Sequence, residues 1–218
     1  MLENIKCVIF DLDGVVVDTA KYHYLAWKRL AEGFHISFTE KENENFKGVS
    51  RMACMDIICE MGNLKINQDL KINLANMKNE WYVEYINTLD QSEMFDNVKD
   101  FILELKKRGI KIALGSASKN ARFILEKLEI KDLFDTISDG TRVKNAKPDP
   151  EVFLLAASDL NVNPENCLVI EDAKSGVEAA YNGKMRAIGI GDKDHLSQAE
   201  IVYSQASDMI GLLDLIKK

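Results

Sequence analysis

Short apolar runs separated by helix-like segments dominate the second half of the chain. From about Val98 onward, stretches with helical spacing alternate with strand-like runs, in the order VKDFILELKKRG, IKIALGS, KNARFILEKLE, FDTIS, DPEVFLLAASDL, CLVIED, SGVEAAYNG, MRAIGIG, IVYS and MIGLLDLIKK. Gly109 and Gly183 follow two of the predicted helices, where glycine commonly ends a helix. Alternation of this kind predicts an α/β fold with a doubly wound parallel sheet that carries helices on both faces.

The first strand of that sheet is predicted near the start of the chain. Residues 7–10 read CVIF, and four apolar residues in a row are typical of a strand buried on both faces. The segment from about Ala20 to Glu93 lacks proline, has helical spacing over Tyr24–Ala31 and contains no convincing strand. The sequence therefore predicts a core domain interrupted by a helical insert, with the core at residues 1–16 and 94–218 and the insert at residues 17–93.

Composition and charge narrow the class of protein. The chain has 218 residues, of which 46% are hydrophobic, enough for one sizeable core with a second small domain. Its net charge of −7 argues against a nucleic acid or an anionic membrane as partner. The four cysteines show no CxxC spacing, so we expect them to be reduced and mostly structural. No secretory signal or apolar run of about 18 residues is seen, and we expect a soluble, cytoplasmic monomer.

Acidic residues follow two of the predicted strands. Asp11 and Asp13 come directly after VIF, and Glu171 and Asp172 come after LVI. Carboxylates spaced i, i+2 on an extended chain point the same way and repel each other unless a cation or a proton lies between them. A single aspartate here would most simply cap a turn at Gly14, but two acid-tipped strands in one sheet favour a hard cation such as Mg²⁺.

Two further strand ends carry groups suited to phosphate. Small residues in GSAS, from Gly115 to Ser118, let the backbone approach a ligand, and a helix beginning near Lys119 would aim its amide groups at that point. The alternative is an ordinary helix cap by Ser118. Lys147, in AKPDP, is either a solvated surface charge or a cation that neutralises the acids and a phosphate, and Pro148 and Pro150 stiffen its loop.

These motifs together resemble those of a known family. FDLDGVVVDT, GSAS, AKPDP and VIEDA, in that order, are similar to the four motifs of the haloacid dehalogenase-like phosphotransferases, and the resemblance covers nearly the whole chain. The stretches DTAKYHYLAW, FKGVSR and SASKN make the match closer to its β-phosphoglucomutase branch. The resemblance implies a Rossmann-like catalytic core with an inserted α-helical cap domain.

The resemblance also implies roles for the strand-end residues. Asp11 would be the nucleophile that becomes an aspartyl phosphate, and Asp13 the general acid and base. Mg²⁺ would be held by the Asp11 carboxylate, the Asp13 main-chain carbonyl and Asp172, with Glu171 bound directly or through water. The phosphoryl group in transit would be bound by Ser116, the Ala117 amide and Lys147.

A second phosphate and the sugar would need further residues, which are again implied by resemblance. The distal phosphate would bind Arg51, Ser118, Lys119 and Asn120, and the sugar would be lined by Lys47, Gly48, Val49 and Ser50. His23 and Lys78 would couple cap closure to the positioning of Asp13, and Thr19 would lie at the hinge. Arg51 could instead be an exposed charge at a helix start, and His23 an ordinary packing residue.

Three functions fit these residues. The first is the mutase reaction, β-D-glucose 1-phosphate to glucose 6-phosphate through β-glucose 1,6-bisphosphate; the second is a sugar-phosphate phosphatase; the third is a non-catalytic metal- and phosphate-binding protein. The presence of both Asp11 and Asp13 disfavours the third. The chain departs from the wider family at Ala173 and in NGKM, and Arg142, Lys144 and Asn145 add basic and amide groups that could change substrate preference.

Overall fold

The chain forms two compact units. A computed structural model describes residues 2–46 and 49–217. One unit, here called the core unit, consists of Met1–Asp18 and Asp90–Lys218, and the other, the helical unit, consists of Thr19–Leu89. The assignment of these units as catalytic core and cap, with boundaries at 16/17 and 93/94, stays a prediction.

A six-stranded parallel sheet forms the centre of the core unit. Its strands are β2 (Cys7–Phe10), β3 (Lys111–Gly115), β4 (Thr136–Ser138), β5 (Cys167–Glu171), β6 (Arg186–Ile190) and β7 (Ile201–Tyr203). Their order across the sheet is β4-β3-β2-β5-β6-β7. Two short strands, β1 (Leu2–Glu3) and β8 (Ile216–Lys217), pair separately. The predicted doubly wound parallel sheet is therefore confirmed.

Strand β2 occupies the position where the winding of the sheet reverses. It pairs with β3 on one side and β5 on the other, with Cys7 opposite both Lys111 and Cys167. All four of its residues are buried, as the unbroken apolar run CVIF predicts. Ligands of open α/β sheets bind beyond the carboxyl ends of the strands at such a reversal, so the residues after β2 and β5 have the favoured position.

Helices cover this sheet. They are α5 (Val98–Lys107), α6 (Ala121–Lys127), α7 (Glu151–Asp159) and α8 (Lys174–Asn182). Apolar residues of α7 and α8, including Phe153 and Val177, pack with Ile9 and Val169 of the central strands in one buried cluster. All four cysteines are free and buried. None of the described helices combines the length and the apolar character needed to cross a membrane.

The helical unit contains four α-helices and, within residues 19–46 and 49–89, no strand. They are α1 (Ala20–Glu32), α2 (Glu40–Glu44), α3 (Arg51–Met61) and α4 (Gln68–Ile86). Trp27 and Leu30 of α1, Met55 and Ile58 of α3 and Ala75 of α4 bury one apolar cluster. The unit therefore has a hydrophobic core of its own.

Two predictions about helices differ from the structure. The stretch MIGLLDLIKK has helical spacing, but residues Ala206–Asp214 form a 3-10 helix and the chain then continues as β8. Gly109 has the positive φ expected after α5, whereas Gly183 has φ −82 and the positive φ belongs to Lys184. Main-chain hydrogen bonds from Lys184 to Tyr181 and from Met185 to Ala180 complete that turn.

Candidate active site

Three carboxylates meet at the ends of the two central strands. Asp11 follows β2, Glu171 is the last residue of β5, and Asp172 comes next. One ligand oxygen from each lies within 4.8 Å of the others. The main-chain amide of Asp11 donates to the Ile170 carbonyl at 2.9 Å, which holds the two strand ends side by side. The predicted convergence of these acids is present in the core unit.

Lys147 is buried between two of these carboxylates. Its Nζ lies 2.6 Å from Asp11 Oδ1 and also contacts Glu171 Oε1. The Lys147 and Glu171 side chains are each only 1% exposed. Lys147 is therefore not a solvated surface charge, and one cation partly neutralises two buried acids.

The pKa values of this pair reflect burial and mutual attraction. Burial, together with the nearby Asp11 charge, raises the pKa of Glu171 to about 7 against the lowering effect of the Lys147 ammonium. Burial alone would lower the pKa of Lys147, but the Asp11 and Glu171 carboxylates outweigh it and raise that pKa. Lys147 therefore stays protonated at neutral pH.

Two glycines leave room for the acids. A Cβ at Gly14 would overlap the Asp172 carboxylate, and Gly14 has φ +78, which a side chain disfavours. A Cβ at Gly176, in the first turn of α8, would overlap the Glu171 carboxylate. Glycine at these two positions permits the close approach of the carboxylates to the backbone.

The site has the chemistry of a divalent cation site. Carboxylate oxygens are the ligands that hard cations such as Mg²⁺ prefer, and three of them lie within reach of one ion. The Asp13 side chain is outside the group of three; the predicted use of its main-chain carbonyl stays a prediction.

The loop after β3 presents polar groups of the kind that bind phosphate. Ser116 is buried, and its Oγ accepts a hydrogen bond from the Ser118 amide at 3.1 Å. The Ala117 amide makes no hydrogen bond with any residue that the structure describes. Helix α6 begins at Ala121, later than the predicted start near Lys119, and its N-cap is Asn120. Ser118 therefore does not cap the helix; its Oγ accepts from the Asn120 amide at 3.2 Å.

A second loop, at residues 139–141, supports the first, and the sequence reasoning missed it. The Gly140 amide donates to the Ser118 carbonyl at 3.2 Å, and a Cβ at Gly140 would overlap the Ala117 carbonyl. Asp139 is buried and accepts from Arg122 Nε at 3.1 Å and from the Thr141 amide at 2.9 Å. The available signal was the polar pair Asp139–Gly140 directly after the strand-like run FDTIS.

The basic loop before Lys147 is largely held by intramolecular contacts. Arg142 donates to both carboxylate oxygens of Asp159, at 2.6 and 3.1 Å, and its hydrogen bond to Asp159 raises its pKa. The amides of Lys144 and Asn145 donate to Glu151 Oε2 at 3.1 and 2.8 Å. The charge of Arg142 is thus compensated by Asp159. The sequence did not identify Glu151 as the acceptor that holds this loop.

In the helical unit, the buried Lys78 contacts the partly buried His23. Lys78 Nζ lies 2.8 Å from His23 Nδ1, and the His23 ring stacks on Tyr82 at 4.0 Å between centroids. Lys78 Nζ also lies 4.6 Å from the centre of the Trp27 ring. Burial, followed by the positive charges of Lys78 and Arg51, lowers the pKa of His23 well below its ordinary value of 6.5. His23 is neutral at pH 7.

The remaining predicted residues of the helical unit lie around the start of α3. Ser50 caps this helix, since its Oγ accepts from the Ala53 amide at 3.3 Å. Arg51 Nη2 donates to Asn79 Oδ1 at 2.8 Å, and burial lowers the Arg51 pKa. Arg51 is therefore partly buried and not a freely exposed charge.

Three other predicted residues need separate mention. Val49 packs against the apolar cluster of the unit. Thr19 is buried at the start of α1. Lys47 and Gly48 lie outside the described residues.

The described residues thus fall into two groups. Asp11, Glu171, Asp172 and Lys147 come together in the core unit, and Ser116 to Asn120 follow the neighbouring strand at the same sheet edge. His23, Lys78 and Arg51 belong to the helical unit, where Asn79 and Tyr82 are partners that the sequence reasoning missed. Tyr82 stands four residues after Lys78 on α4, a spacing that puts both on one face of the helix.

Comparison with known proteins identifies the relatives of this chain. The model of the haloacid dehalogenase-like hydrolases matches residues 5–183. A β-phosphoglucomutase of Bacillus subtilis is 41% identical over 206 residues, 94% of this chain and 91% of that protein. A phosphorylated carbohydrates phosphatase of Thermotoga maritima is 34% identical over 188 residues, 84% of this chain and 83% of that protein. A crystal structure of β-phosphoglucomutase from Clostridium difficile superimposes with a TM-score of 0.90 at 42% identity, covering 94% of this chain and 93% of the other.

Proposed function

Because the chain belongs to the haloacid dehalogenase-like hydrolase family, we propose that this enzyme interconverts β-D-glucose 1-phosphate and glucose 6-phosphate. The reaction would pass through an aspartyl phosphate and β-glucose 1,6-bisphosphate. The likeness to two β-phosphoglucomutases over 94% of the chain supports this choice. The observation that carries it is the buried contact between the Asp11 carboxylate and the Lys147 ammonium at the reversal point of the sheet.

Asp11 is the proposed nucleophile. The phosphoryl group on Asp11 is transferred to the free hydroxyl of β-glucose 1-phosphate, and the bisphosphate forms as the bond from phosphorus to Asp11 breaks. An Asp11 carboxylate oxygen then bonds to the phosphorus of the original phosphate while the bond from that phosphorus to the sugar oxygen breaks, which leaves glucose 6-phosphate. Asp13 is the proposed general acid and base, which protonates the departing sugar oxygen and deprotonates the attacking hydroxyl. Both steps move a proton and a phosphoryl group without net hydrolysis.

Lys147, Ser116 and the Ala117 amide are the proposed ligands of the phosphoryl group in transit. Lys147 is permanently charged and rigidly held by two carboxylates, so it needs little reorganisation when negative charge develops on phosphoryl oxygens. The Ser116 hydroxyl can donate while it accepts from Ser118, and the Ala117 amide has a hydrogen to donate.

Mg²⁺ is the proposed cofactor, held by the carboxylates of Asp11 and Asp172 and the Asp13 carbonyl, with Glu171 direct or through water. When bound, the ion would neutralise phosphoryl charge and reduce the repulsion between Asp11 and the phosphate. The main contribution of the chain itself is a set of oxygen donors already positioned by the strand ends.

The second phosphate of the bisphosphate is proposed to bind Arg51. Its guanidinium is oriented by Asn79 and partly removed from water, which suits bidentate binding of phosphate oxygens. The same phosphate is proposed to bind also to Ser118, Lys119 and Asn120. The proposed ligands of the sugar are Lys47, Gly48, Val49 and Ser50. A closed state that positions Asp13 is proposed to depend on His23, Lys78 and Thr19.

A sugar-phosphate phosphatase is the second candidate. The 34% identical relative from Thermotoga maritima is a phosphatase, and the same nucleophile and phosphate ligands would serve hydrolysis. The difference lies in whether water or a sugar hydroxyl attacks the aspartyl phosphate. About 1.4 kcal/mol of differential stabilisation changes that preference tenfold.

Identification of the products distinguishes a mutase from a phosphatase. The enzyme is given β-glucose 1-phosphate, Mg²⁺ and a trace of β-glucose 1,6-bisphosphate, and glucose 6-phosphate and free phosphate are measured in parallel. We expect glucose 6-phosphate to form with little phosphate release. Rapid phosphate release with negligible glucose 6-phosphate would show a phosphatase.

A further inference from the structure

A cavity lies at the edge of the central sheet where the parallel strands begin. It has a volume of about 480 Å³, is partly open to solvent, and lies at the amino-terminal ends of β2, β3 and β5. Because the strands are parallel, this edge is opposite the one that carries Asp11 and Asp172. The proposed reaction therefore makes no use of it.

The charge of this cavity is opposite to that of the protein. Three of its lining residues are cations, Lys6, Arg108 and Lys111, and none of those described is an acid, whereas the whole chain carries −7. Within residues 2–46 and 49–217, Lys6 and Lys111 form no ion pair; Lys111 Nζ donates to the Leu160 carbonyl at 2.8 Å. Arg108 donates to the Leu213 carbonyl, and its Nε forms a long ion pair of 3.7 Å with Glu104 Oε1. The cavity thus has positive charge to offer an anion.

The other lining groups indicate an anion with an apolar body. The partly exposed Val162 and the small exposed parts of three otherwise buried isoleucines, Ile5, Ile110 and Ile216, supply aliphatic surface, which a free phosphate or a sugar phosphate would leave poorly covered. Asn161 has an amide whose donor and acceptor make no hydrogen bond with another described residue, so it can pair with a polar ring edge. Gly109 opens onto empty space, because a Cβ there would meet no atom within 4 Å. The volume of the cavity lies within the range of small-molecule sites.

We propose that this cavity is a second, non-catalytic binding site for a nucleoside phosphate, with the phosphates on Lys6, Lys111 and Arg108 and the base against the isoleucines and Val162. This proposal does not depend on the proposed function. It assigns a use to a cationic cavity at the sheet edge remote from the carboxylates.

The test is a calorimetric titration of the full-length protein with adenosine 5′-diphosphate in low-salt buffer containing EDTA. The variant Lys6→Gln/Lys111→Gln is compared with Lys107→Gln/Lys193→Gln, which removes the same charge from exposed core-unit lysines that do not line the cavity. We expect the first variant to bind at least about tenfold more weakly than the wild type and the second to change by less than about twofold. Adenosine and inorganic pyrophosphate should each bind at least about tenfold more weakly than the diphosphate.

Several results would overturn the proposal. One is the absence of binding to the wild type at about 5 mM diphosphate. Another is equal affinity of both double variants, which would place the nucleotide elsewhere, and a third is pyrophosphate binding as tightly as the nucleotide. Should the double variant fail to fold by circular dichroism, Lys6→Gln alone decides, since the Lys6 side chain makes no polar contact with another described residue.

Discussion

At the scale of single residues, the buried charges of Asp11, Lys147 and Glu171 determine the character of the core unit. One ammonium contacts two carboxylates, and the side chains of Lys147 and Glu171 are each 1% exposed. Such an arrangement is stable only while its members remain paired, because an isolated buried charge is costly. The sequence identified all three residues, but only the fold shows that Lys147 contacts both acids.

Replacing the proposed nucleophile tests the central role of Asp11. We expect Asp11→Asn to abolish labelling of the protein by a phosphoryl donor and to lower kcat at least about a thousandfold, because an amide oxygen is a poor nucleophile. Mass spectrometry of the intact protein and the glucose 6-phosphate assay measure the two effects. Asp96→Asn, at an exposed acid of the same unit, is the matched control and should retain both. Normal labelling of Asp11→Asn would exclude Asp11 as the nucleophile.

Removing the central cation tests the charge arrangement. We expect Lys147→Ala to lower the free energy of unfolding by about 3 kcal/mol, since Asp11 and Glu171 would remain buried without their partner. Urea denaturation in EDTA measures this loss. Lys107→Ala, at a lysine that is 74% exposed, should change stability by less than about 1 kcal/mol. Equal stabilities of the two variants would contradict the argument.

At the scale of elements, short hydrogen-bonded loops position the site. Helix α7 begins with Glu151, whose carboxylate holds the amides of Lys144 and Asn145, and Lys147 follows in the same loop. The loop at Asp139–Thr141 supports the backbone of Ala117 and Ser118 in a similar way. The sequence pattern did not identify these supports, because a carboxylate at a helix start is common and its acceptor role depends on where a distant loop runs.

Glu151 is expected to act as a positioning residue. Glu151→Ala should lower kcat about tenfold with a smaller effect on KM, because Lys147 would lose its fixed orientation, and should cost about 1–2 kcal/mol of stability. Glu151→Gln keeps an acceptor oxygen and should restore most of kcat. Steady-state kinetics of both variants are compared with Glu178→Ala, at a partly buried acid of α8. A loss of stability in Glu151→Ala without any change in kcat would leave Glu151 a purely structural residue.

The partly buried His23 gives the helical unit a pH-dependent stability. The folded protein keeps His23 neutral, whereas the unfolded chain binds a proton below the ordinary pKa of 6.5. The contribution to stability is therefore complete above that pH and is lost as pH falls below it, by up to about 1.4 kcal/mol per pH unit. Glu171, whose pKa is raised to about 7, contributes the opposite slope in the same range, because the folded protein holds a proton there that the unfolded chain releases. Urea denaturation between about pH 7.5 and about pH 5.5 therefore compares the wild type with His23→Gln, and the variant should lose less stability as pH falls.

The control for that experiment is His195→Gln, which changes an exposed histidine of the core unit. Its slope should match that of the wild type. If His23→Gln retains the full slope, another group is responsible for the pH dependence.

At the scale of the whole molecule, the two compact units carry different parts of the proposed chemistry. The core unit contains the acids, Lys147 and the loop after β3, which suffice in principle for hydrolysis of a simple phosphoester. The helical unit contributes Arg51, His23 and Lys78, which are proposed to make the enzyme a mutase. The function therefore depends on residues from segments far apart in the sequence.

The variant Arg51→Ala tests this division. We expect it to lower kcat/KM for isomerisation at least about a hundredfold through loss of a charged phosphate ligand, and hydrolysis of p-nitrophenyl phosphate by less than about threefold. The matched control is Arg29→Ala, at a cation of α1 that stacks on Trp81 in the same unit. Equal loss of both activities in Arg51→Ala would rule out a role specific to the second phosphate.

The sequence by itself determined the parallel sheet, the helical insert and the acid-tipped strands, because hydrophobic period and strand-end polarity are local properties of the chain. The tertiary structure decided which polar residues meet: Lys147 with Asp11 and Glu171, Arg51 with Asn79, Glu151 with the loop before Lys147, and the cationic cavity at the far sheet edge. These pairs join residues as many as 136 positions apart, and their energies depend on burial and distance that no local pattern contains.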